Sequence, residues 1–231
     1  MIKYRITPKG RDRHWQEYQI CELGISPGNI AHEGDKFISI LDWASRNFEK
    51  TIITLSDTLY RFNFQADGMD ATQAYEESVR MGKQWLFRNR LVLERYSSSI
   101  QQINHWDEWR GHKDYDVLYG EIIKYYQNDN GFRLSLAKDI EKYMQRKEKH
   151  EIMGNSIAVQ ENCRLFLLEE IVCYLLIGHL YVAAHVYPAA DMDCFQYMRL
   201  EKTPENLKGF EKITHVRIAL NRKKSMLTEA A

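Results

Sequence analysis

The sequence predicts an α/β protein, a three-layer α/β/α sandwich around a mostly parallel central sheet. Short β-branched or alternating segments, typical of buried strands, are separated by amphipathic helices of about ten or more residues. The first two predicted strands flank one helix, and such a βαβ unit implies parallel strands joined by a right-handed crossover. No internal repeat or linker divides the 231 residues, so we expect a single domain, 1–231.

The first βαβ unit follows from hydrophobic periodicity. Tyr18–Ile25 alternates, which indicates the first core strand. A helix is predicted from near Ile30, because apolar residues then recur at intervals of three and four. Thr51–Asp57 is short and β-branched, which indicates the second strand. The apolar stripe of the helix consists of Phe37, Ile40, Leu41, Ala44 and Phe48.

The rest of the chain continues the alternation. A long helix is predicted at Asp70–Tyr96, with Asp70 as its N-cap and Tyr75 on its inward face. Leu180–Pro188 is predicted as a buried strand that the proline ends, and Ile213–Leu220 as a late strand. Further helices are predicted at Tyr115–Gln127, Leu134–Lys149 and Ile157–Ile177.

Composition excludes several classes of protein. Lys and Arg together number 32, as do Asp and Glu, so attraction to a polyanion would come from local patches. The four cysteines form no CxxC or Cys/His cluster, and we expect buried free thiols and no metal site. The N-terminus lacks the apolar stretch of a signal peptide, and the longest apolar run, Ile171–Ala184, is too short to span a bilayer. We therefore expect a cytoplasmic protein with no membrane association.

A serine stands where the first strand ends. In open α/β sheets, ligands bind beyond the carboxyl ends of the strands, and Ser26 lies at such an end. Pro27-Gly28 turns the chain sharply towards a helix, whose first N–H groups could stabilise an oxyanion. The alternative is that Ser26 only satisfies the turn, since Ser-Pro-Gly is common turn chemistry. The surrounding residues do not match GxSxG, GxGxxG or a P-loop.

Several segments in order along the chain together resemble the cyclodipeptide synthase family. They are "LGISPGN", "LDWASRNF", "TIITLSDTLYRFN", "FLLEE" and "HVYP". Members of that family convert two aminoacyl-tRNAs into a cyclic dipeptide, a 2,5-diketopiperazine, on a Rossmann-like fold related to the catalytic domains of class I tyrosyl- and tryptophanyl-tRNA synthetases. The resemblance implies aminoacyl-tRNAs as substrates, no cofactor and no metal, and we expect a monomer.

The resemblance also implies roles for individual residues. Ser26 matches the nucleophile that accepts the first aminoacyl group, Glu170 the glutamate that holds the substrate amino group and assists proton transfer, and Tyr187 a proton relay during cyclisation. Two positions depart from the pattern. Phe166 stands where the family has a tyrosine, so either another hydroxyl replaces it or the amino group is held by fewer contacts. Pro188 and Asn29 point to different subgroups of the family.

The amino-acid pockets are predicted from the strands beside the nucleophile. By the resemblance, Glu22, Gly24 and Thr54 face the first pocket and Ser56 lies near the second, with Gly28, Asn29, Phe166 and Pro188 also around the substrate. A buried carboxylate needs a partner. We therefore hypothesise a polar or cationic first substrate, histidine above all, paired with Glu22. The alternative is that Glu22 points to the opposite face of the sheet and binds a helix residue.

Two further features stand on the residues alone. Apolar neighbours surround Glu169-Glu170, so we expect one of the two to be buried, with a raised pKa if it is unpaired. The long helix carries a basic stripe within an arc of roughly 160° at about 100° per residue, which is suited to tRNA phosphates. An ordinary solvated face is the alternative, because Glu94 lies inside the arc. The stripe consists of Arg80, Lys83, Arg88, Arg90 and Arg95.

We therefore predict a cyclodipeptide synthase that works by ping-pong transfer through an aminoacyl-serine and a dipeptidyl-enzyme. Two alternatives stay open. One is a serine hydrolase or acyltransferase that acts on a small ester or thioester. The other is a non-catalytic tRNA- or nucleotide-binding module.

Overall fold

A computed structural model describes residues 4–9, 14–148, 156–200 and 202–222. Within these ranges, six strands form one sheet in the order β1-β6-β5-β2-β3-β4. Only β1 runs antiparallel, against β6, and the other pairings are parallel. The strands are β1 (Tyr4–Lys9), β2 (Ile20–Ile25), β3 (Lys50–Leu55), β4 (Ile100–His105), β5 (Ala183–Tyr187) and β6 (Ile213–Arg222).

Helices cover both faces of this sheet, as predicted. They are α1 (Gly34–Asn47), α2 (Arg61–Ala66), α3 (Ala71–Arg95), α4 (Trp106–Arg110), α5 (Tyr115–Asn128), α6 (Asn130–Glu148), α7 (Ser156–Leu180) and α8 (Asp193–Met198). Asp70 caps α3, as expected: its carboxylate accepts hydrogen bonds from the N–H groups of Thr72 and Gln73. The mostly parallel α/β/α sandwich is thus confirmed.

Successive side chains of β2 point to opposite faces of the sheet, and each face is covered by its own hydrophobic core. Leu23 and Ile25 face the helices α1 and α3, whose buried residues include Phe37 and Trp85. The predicted α1 stripe is confirmed, since all five of its residues are buried. Glu22 lies on the opposite face, the side of α7, whose second half is mostly apolar and buried. Because β2 lies between β3 and β5, the carboxyl ends of these three strands meet at one edge.

The structure differs from the predicted elements in several places. Leu180 ends α7, and the strand that follows is limited to Ala183–Tyr187. Tyr75 is 40% exposed, because the inward seam of α3 runs one position earlier, through Ala74 and Ser78. Lys149, the predicted end of α6, lies outside the described residues.

Both strands that the sequence analysis missed lie at the edges of the sheet. β1 contains Pro8, which an edge position tolerates, and β4 (IQQINH) is mostly polar and only partly buried. Neither segment shows the apolar run of a buried strand.

Candidate active site

The Ser26 hydroxyl faces a tyrosine from the neighbouring strand. Ser26 follows the last residue of β2, and Tyr187 is the last residue of β5, which pairs with β2. The two hydroxyl oxygens are 3.0 Å apart, and either can be the donor. The sheet order thus brings together the predicted nucleophile and the predicted proton relay.

Asn29 borders the same pair of hydroxyls. Its Oδ1 accepts a hydrogen bond from the Ala31 N–H at 2.9 Å, which fixes the orientation of the amide. The Nδ2 group therefore points towards the Tyr187 hydroxyl, 3.5 Å away. Tyr187 lies between a hydroxyl and an amide donor.

The turn after Ser26 is not the long helix that was expected there, and several of its N–H groups are already bound. After Asn29 the chain forms a short 3₁₀ turn, Ile30–His32, and α1 begins only at Gly34. The N–H of Ser26 is bound by His32 Nδ1 at 3.0 Å, and the N–H groups of Asn29 and His32 are bound within the turn. The groups that contact the Ser26 hydroxyl itself are the side chains of Tyr187 and Tyr60.

Tyr60 is one of these side chains, and the sequence analysis missed it. It lies in the segment that follows β3, and its hydroxyl interacts with the Ser26 side chain. Burial, with a smaller effect of Tyr187, raises the pKa of Tyr60 to about 12, so the phenol stays protonated at neutral pH. The predicted pocket residue Gly28 lies against this ring: a Cβ atom there would be 3.7 Å from the Tyr60 hydroxyl. The position of Tyr60 just after the end of a strand is the sequence signal that could have identified it.

Glu169 and Glu170 have different environments. Glu169 is buried and ion-paired with Arg61, and its Oε1 accepts a hydrogen bond from the indole N–H of Trp106 at 2.8 Å. Glu170 lines the cavity beside Ser26, and desolvation, helped by the nearby charge of Glu22, raises its pKa to about 8. The expectation of one carboxyl with a raised pKa therefore applies to Glu170, which is largely protonated at neutral pH.

These groups line one cavity of about 490 Å³, which is large enough to hold a small molecule. Five of the predicted site residues line it: Ser26, Asn29, Phe166, Glu170 and Tyr187. The sequence analysis did not select several other polar residues of its wall, which come from segments far apart in sequence. They include Tyr60, Asn63, Asp139, Tyr143, His185, Asp191 and His215.

The structure places Glu22 outside the lining of the cavity. Glu22 lies on the predicted face, but it is fully buried behind the cavity wall and its Oε2 is bound by His185 Nδ1. Its partner is a strand residue and not a helix residue, and its buried Oε1 has no hydrogen-bond partner among the described residues. The imidazole of His185 lines the cavity in its place.

The predicted pocket residues of β2 and β3 also lie outside the lining of the cavity. A Cβ atom on Gly24 would lie 3.0 Å from the Tyr174 hydroxyl and 3.1 Å from His185, so glycine lets these side chains approach β2. Thr54 and Ser56 are buried in and just after β3 and do not line the cavity.

Pro188 lies outside the cavity. It borders a neighbouring groove of about 560 Å³ on the β1–β6 side of the sheet. Three cations line that groove: Lys9, Lys36 and Arg217. It begins directly beside the Ser26 turn, because Ala31 lines it as well.

The basic stripe on α3 faces outward, since all five of its residues are exposed. Two of them are already engaged: Arg80 with Glu77, and Arg88 with Glu33 at 2.7 Å. Arg90 lies over the exposed ring of Phe87, 4.5 Å from the ring centroid. The stripe thus combines cations with an aromatic side chain.

The described ranges contain neither a metal-binding cluster nor a membrane-spanning helix. Among those residues, no group of His, Cys, Asp or Glu is arranged to hold a metal ion. No helix in the described part of the chain has the length and apolar character needed to cross a bilayer.

Solved structures share this fold over nearly the whole chain. A cyclodipeptide synthase from Fluoribacter dumoffii superposes with a TM-score of 0.86 at 17% identity, over 96% of this chain and 100% of that one. A Mycobacterium tuberculosis protein, described as showing that these enzymes are related to type I tRNA synthetases, gives 0.74 at 12% identity, over 94% and 93%.

A third structure was determined with an RNA ligand. The cyclodipeptide synthase from Candidatus Glomeribacter gigasporarum bound to Phe-tRNAPhe gives a TM-score of 0.67 at 20% identity, over 92% of this chain and 93% of that one. No curated protein sequence matches significantly. At these identities, structural likeness establishes the fold.

The family itself is established by sequence. The family model described as "Cyclodipeptide synthase" matches residues 7–178, well over half of the chain. That range contains Ser26 and Glu170, and Tyr187 follows just after it. The chain therefore belongs to the cyclodipeptide synthase family and is an aminoacyltransferase.

Proposed function

We propose that this enzyme joins two aminoacyl groups by ping-pong transfer and releases a cyclic dipeptide. The observation that carries the proposal is the 3.0 Å contact between the Ser26 and Tyr187 hydroxyls, in a cavity that also contains Glu170. An aminoacyl-tRNA is already an activated ester, so the chemistry requires positioning and proton transfer, with no need for ATP.

In the first transfer, Ser26 Oγ attacks the carbonyl carbon of an aminoacyl-tRNA. The ester bond to the terminal ribose breaks, a new ester forms on Ser26, and the serine proton passes to the departing ribose oxygen. The vicinal ribose hydroxyl and the Tyr187 hydroxyl are the groups suited to relay that proton. Asn29 Nδ2 and the Tyr60 hydroxyl are the donors suited to the developing oxyanion.

In the second transfer, the amino group of the aminoacyl-enzyme attacks the ester of a second aminoacyl-tRNA, which leaves a dipeptide on Ser26. The free amino group of that dipeptide then attacks the Ser26 ester, releasing the ring and restoring the hydroxyl. Each amine must lose a proton. Glu170, with a pKa of about 8, is suited to exchange such a proton near neutral pH.

We propose a polar first substrate, with histidine the first amino acid to test. The support is that the Glu22–His185 pair makes the wall of the cavity polar, so that the substrate side chain meets the imidazole. Replacing Glu22 by Leu removes the partner of His185. We expect the product spectrum to shift towards apolar residues, and an unchanged spectrum would contradict a polar pocket.

We propose that the acceptor arms of the tRNAs bind the basic surfaces near the site. Lys83 on α3 and the cations of the groove beside Pro188 are available for phosphate contacts. Replacing Lys83 by Glu should raise the KM for aminoacyl-tRNA and leave the rate of a bound complex unchanged. The substitution Arg217→Glu tests the groove separately from α3, by the same measurement of KM. We place the enzyme, as a monomer, in the cytoplasm, where aminoacyl-tRNAs are used.

The function is tested by expressing the chain in a bacterial host and analysing the medium by mass spectrometry. We expect a diketopiperazine that is absent when Ser26 is replaced by Ala. Hydrolysis of small esters without tRNA would favour a hydrolase. Retained tRNA binding without any product from the wild type would favour a binding module.

A further inference from the structure

We infer that His32 is a positioning residue for the nucleophile: its imidazole holds the backbone of Ser26 so that the hydroxyl points at Tyr187. The inference rests on the proposed function, because it concerns acylation of Ser26. His32 does not line the cavity and is fully buried, so it does not contact a substrate.

The protonation state of His32 follows from its hydrogen bonds. The Ser26 N–H can only donate, and it lies 3.0 Å from His32 Nδ1. The Ser26 carbonyl is farther from Nδ1, at 3.3 Å, and already accepts the Asn29 N–H at 2.9 Å. Nδ1 is therefore the unprotonated acceptor and the ring proton is on Nε2. Burial lowers the pKa of His32 to about 4, which keeps the imidazole neutral.

His32 is itself held from the opposite side. Its carbonyl accepts a hydrogen bond of 2.9 Å from the indole N–H of Trp85, a fully buried residue of α3. The imidazole also meets the ring of Tyr187 edge-on, with centroids 5.4 Å apart. Through its carbonyl and its ring, His32 thus connects α3, the Ser26 backbone and the Tyr187 ring.

Apolar packing alone does not account for a histidine here. Among the described residues, the buried Nε2 has no hydrogen-bond partner, and a buried N–H without a partner is destabilising. A phenylalanine of similar size would avoid that cost but would leave the Ser26 N–H without an acceptor. The imidazole is therefore retained for its Nδ1 acceptor.

Two substitutions separate positioning from packing. His32→Phe keeps a ring and removes the acceptor. His32→Asn places an oxygen close to the position of Nδ1 but leaves a cavity. Acylation of Ser26 is measured in single turnover with excess enzyme and total bacterial tRNA charged with radiolabelled amino acids, and stability is measured by thermal unfolding.

We expect opposite orders for rate and stability. The Phe variant should unfold at a higher temperature than the Asn variant. It should acylate roughly tenfold to a hundredfold more slowly than wild type, with an unchanged KM for tRNA. The Asn variant should be less stable but faster than the Phe variant. The inference would be overturned if the Phe variant acylates at the wild-type rate. It would also be overturned if the more stable of the two variants is the faster one.

Trp85→Phe gives a second test if neither His32 variant folds. It keeps an aromatic ring in the core and removes the donor to the His32 carbonyl, so we expect severalfold slower acylation. A wild-type rate would contradict the connection through His32. If the wild-type chain is never acylated, the proposed function fails, whereas wild-type acylation with unaffected variants overturns only the role of His32.

Discussion

The Ser26 and Tyr187 hydroxyl oxygens lie 3.0 Å apart although 161 residues separate them in the sequence. Neighbouring parallel strands produce this contact, because β2 and β5 end at the same edge of the sheet. The contact gives the serine a partner for proton transfer, while three nearby histidines in the described part of the chain are engaged elsewhere: His32 binds the Ser26 backbone, His185 binds Glu22, and His215 binds the Ala189 carbonyl.

Replacing Tyr187 by Phe should slow both acylation and cyclisation by about 10² or more, because it removes the hydroxyl that is bonded to Ser26. Single-turnover acylation and product release measure the two steps. Tyr181→Phe is the control, since that hydroxyl binds Gln102 away from the cavity. Equal rates for both variants would exclude Tyr187 from the chemistry.

Replacing Tyr60 by Phe should slow acylation by about tenfold, because Tyr60 supplies a hydroxyl where the nearby Phe166 supplies none. The second substitution Phe166→Tyr introduces a hydroxyl one helical turn before Glu170, and we expect it to restore part of the lost rate. If Tyr60→Phe has no effect on acylation, Tyr60 does not contact the reacting atoms.

Glu170 should make stability depend on pH. A carboxyl whose pKa is raised to about 8 favours the folded state when protonated, so its contribution is complete below about pH 4.5 and is lost as the pH rises through 8. The free energy of unfolding of Glu170→Gln should therefore change less than that of the wild type over this range. Parallel pH curves from urea unfolding would contradict a raised pKa.

Removing Arg61 should destabilise the protein by up to about 3–5 kcal/mol, because Arg61→Met takes the nearer cation from the buried Glu169 carboxylate and leaves only Arg110, 3.7 Å away. Arg80→Met is the matched control, since the Arg80–Glu77 pair lies in solvent, where its attraction is screened and contributes little to stability. Urea unfolding of both variants compares the two costs, and similar values would contradict a structural role for the Glu169 pair.

The sequence predicted most of the fold because buried strands and amphipathic helices leave periodic signals. The edge strands β1 and β4 carry no such signal, since each pairs on one side only and contains proline or polar residues. The resemblance supplied Ser26, Glu170 and Tyr187, and the structure places all three around one cavity.

The remaining contacts of the site depend on tertiary packing. Glu22 and His185 meet only because β2 and β5 pair in register, which leaves the carboxylate behind the wall. In the sequence, His32 is an ordinary loop residue, and only the structure shows that its ring accepts a hydrogen bond from the Ser26 N–H. Tyr60 lies 34 positions after Ser26, and only the sheet edge brings the two together.

The central claim is most directly tested by the intact mass of the protein after brief incubation with total aminoacylated bacterial tRNA. We predict one added aminoacyl mass on the wild type, located on the peptide containing Ser26, and none on Ser26→Ala. A wild-type mass that does not change, or an equal addition to the variant, would contradict acylation of Ser26.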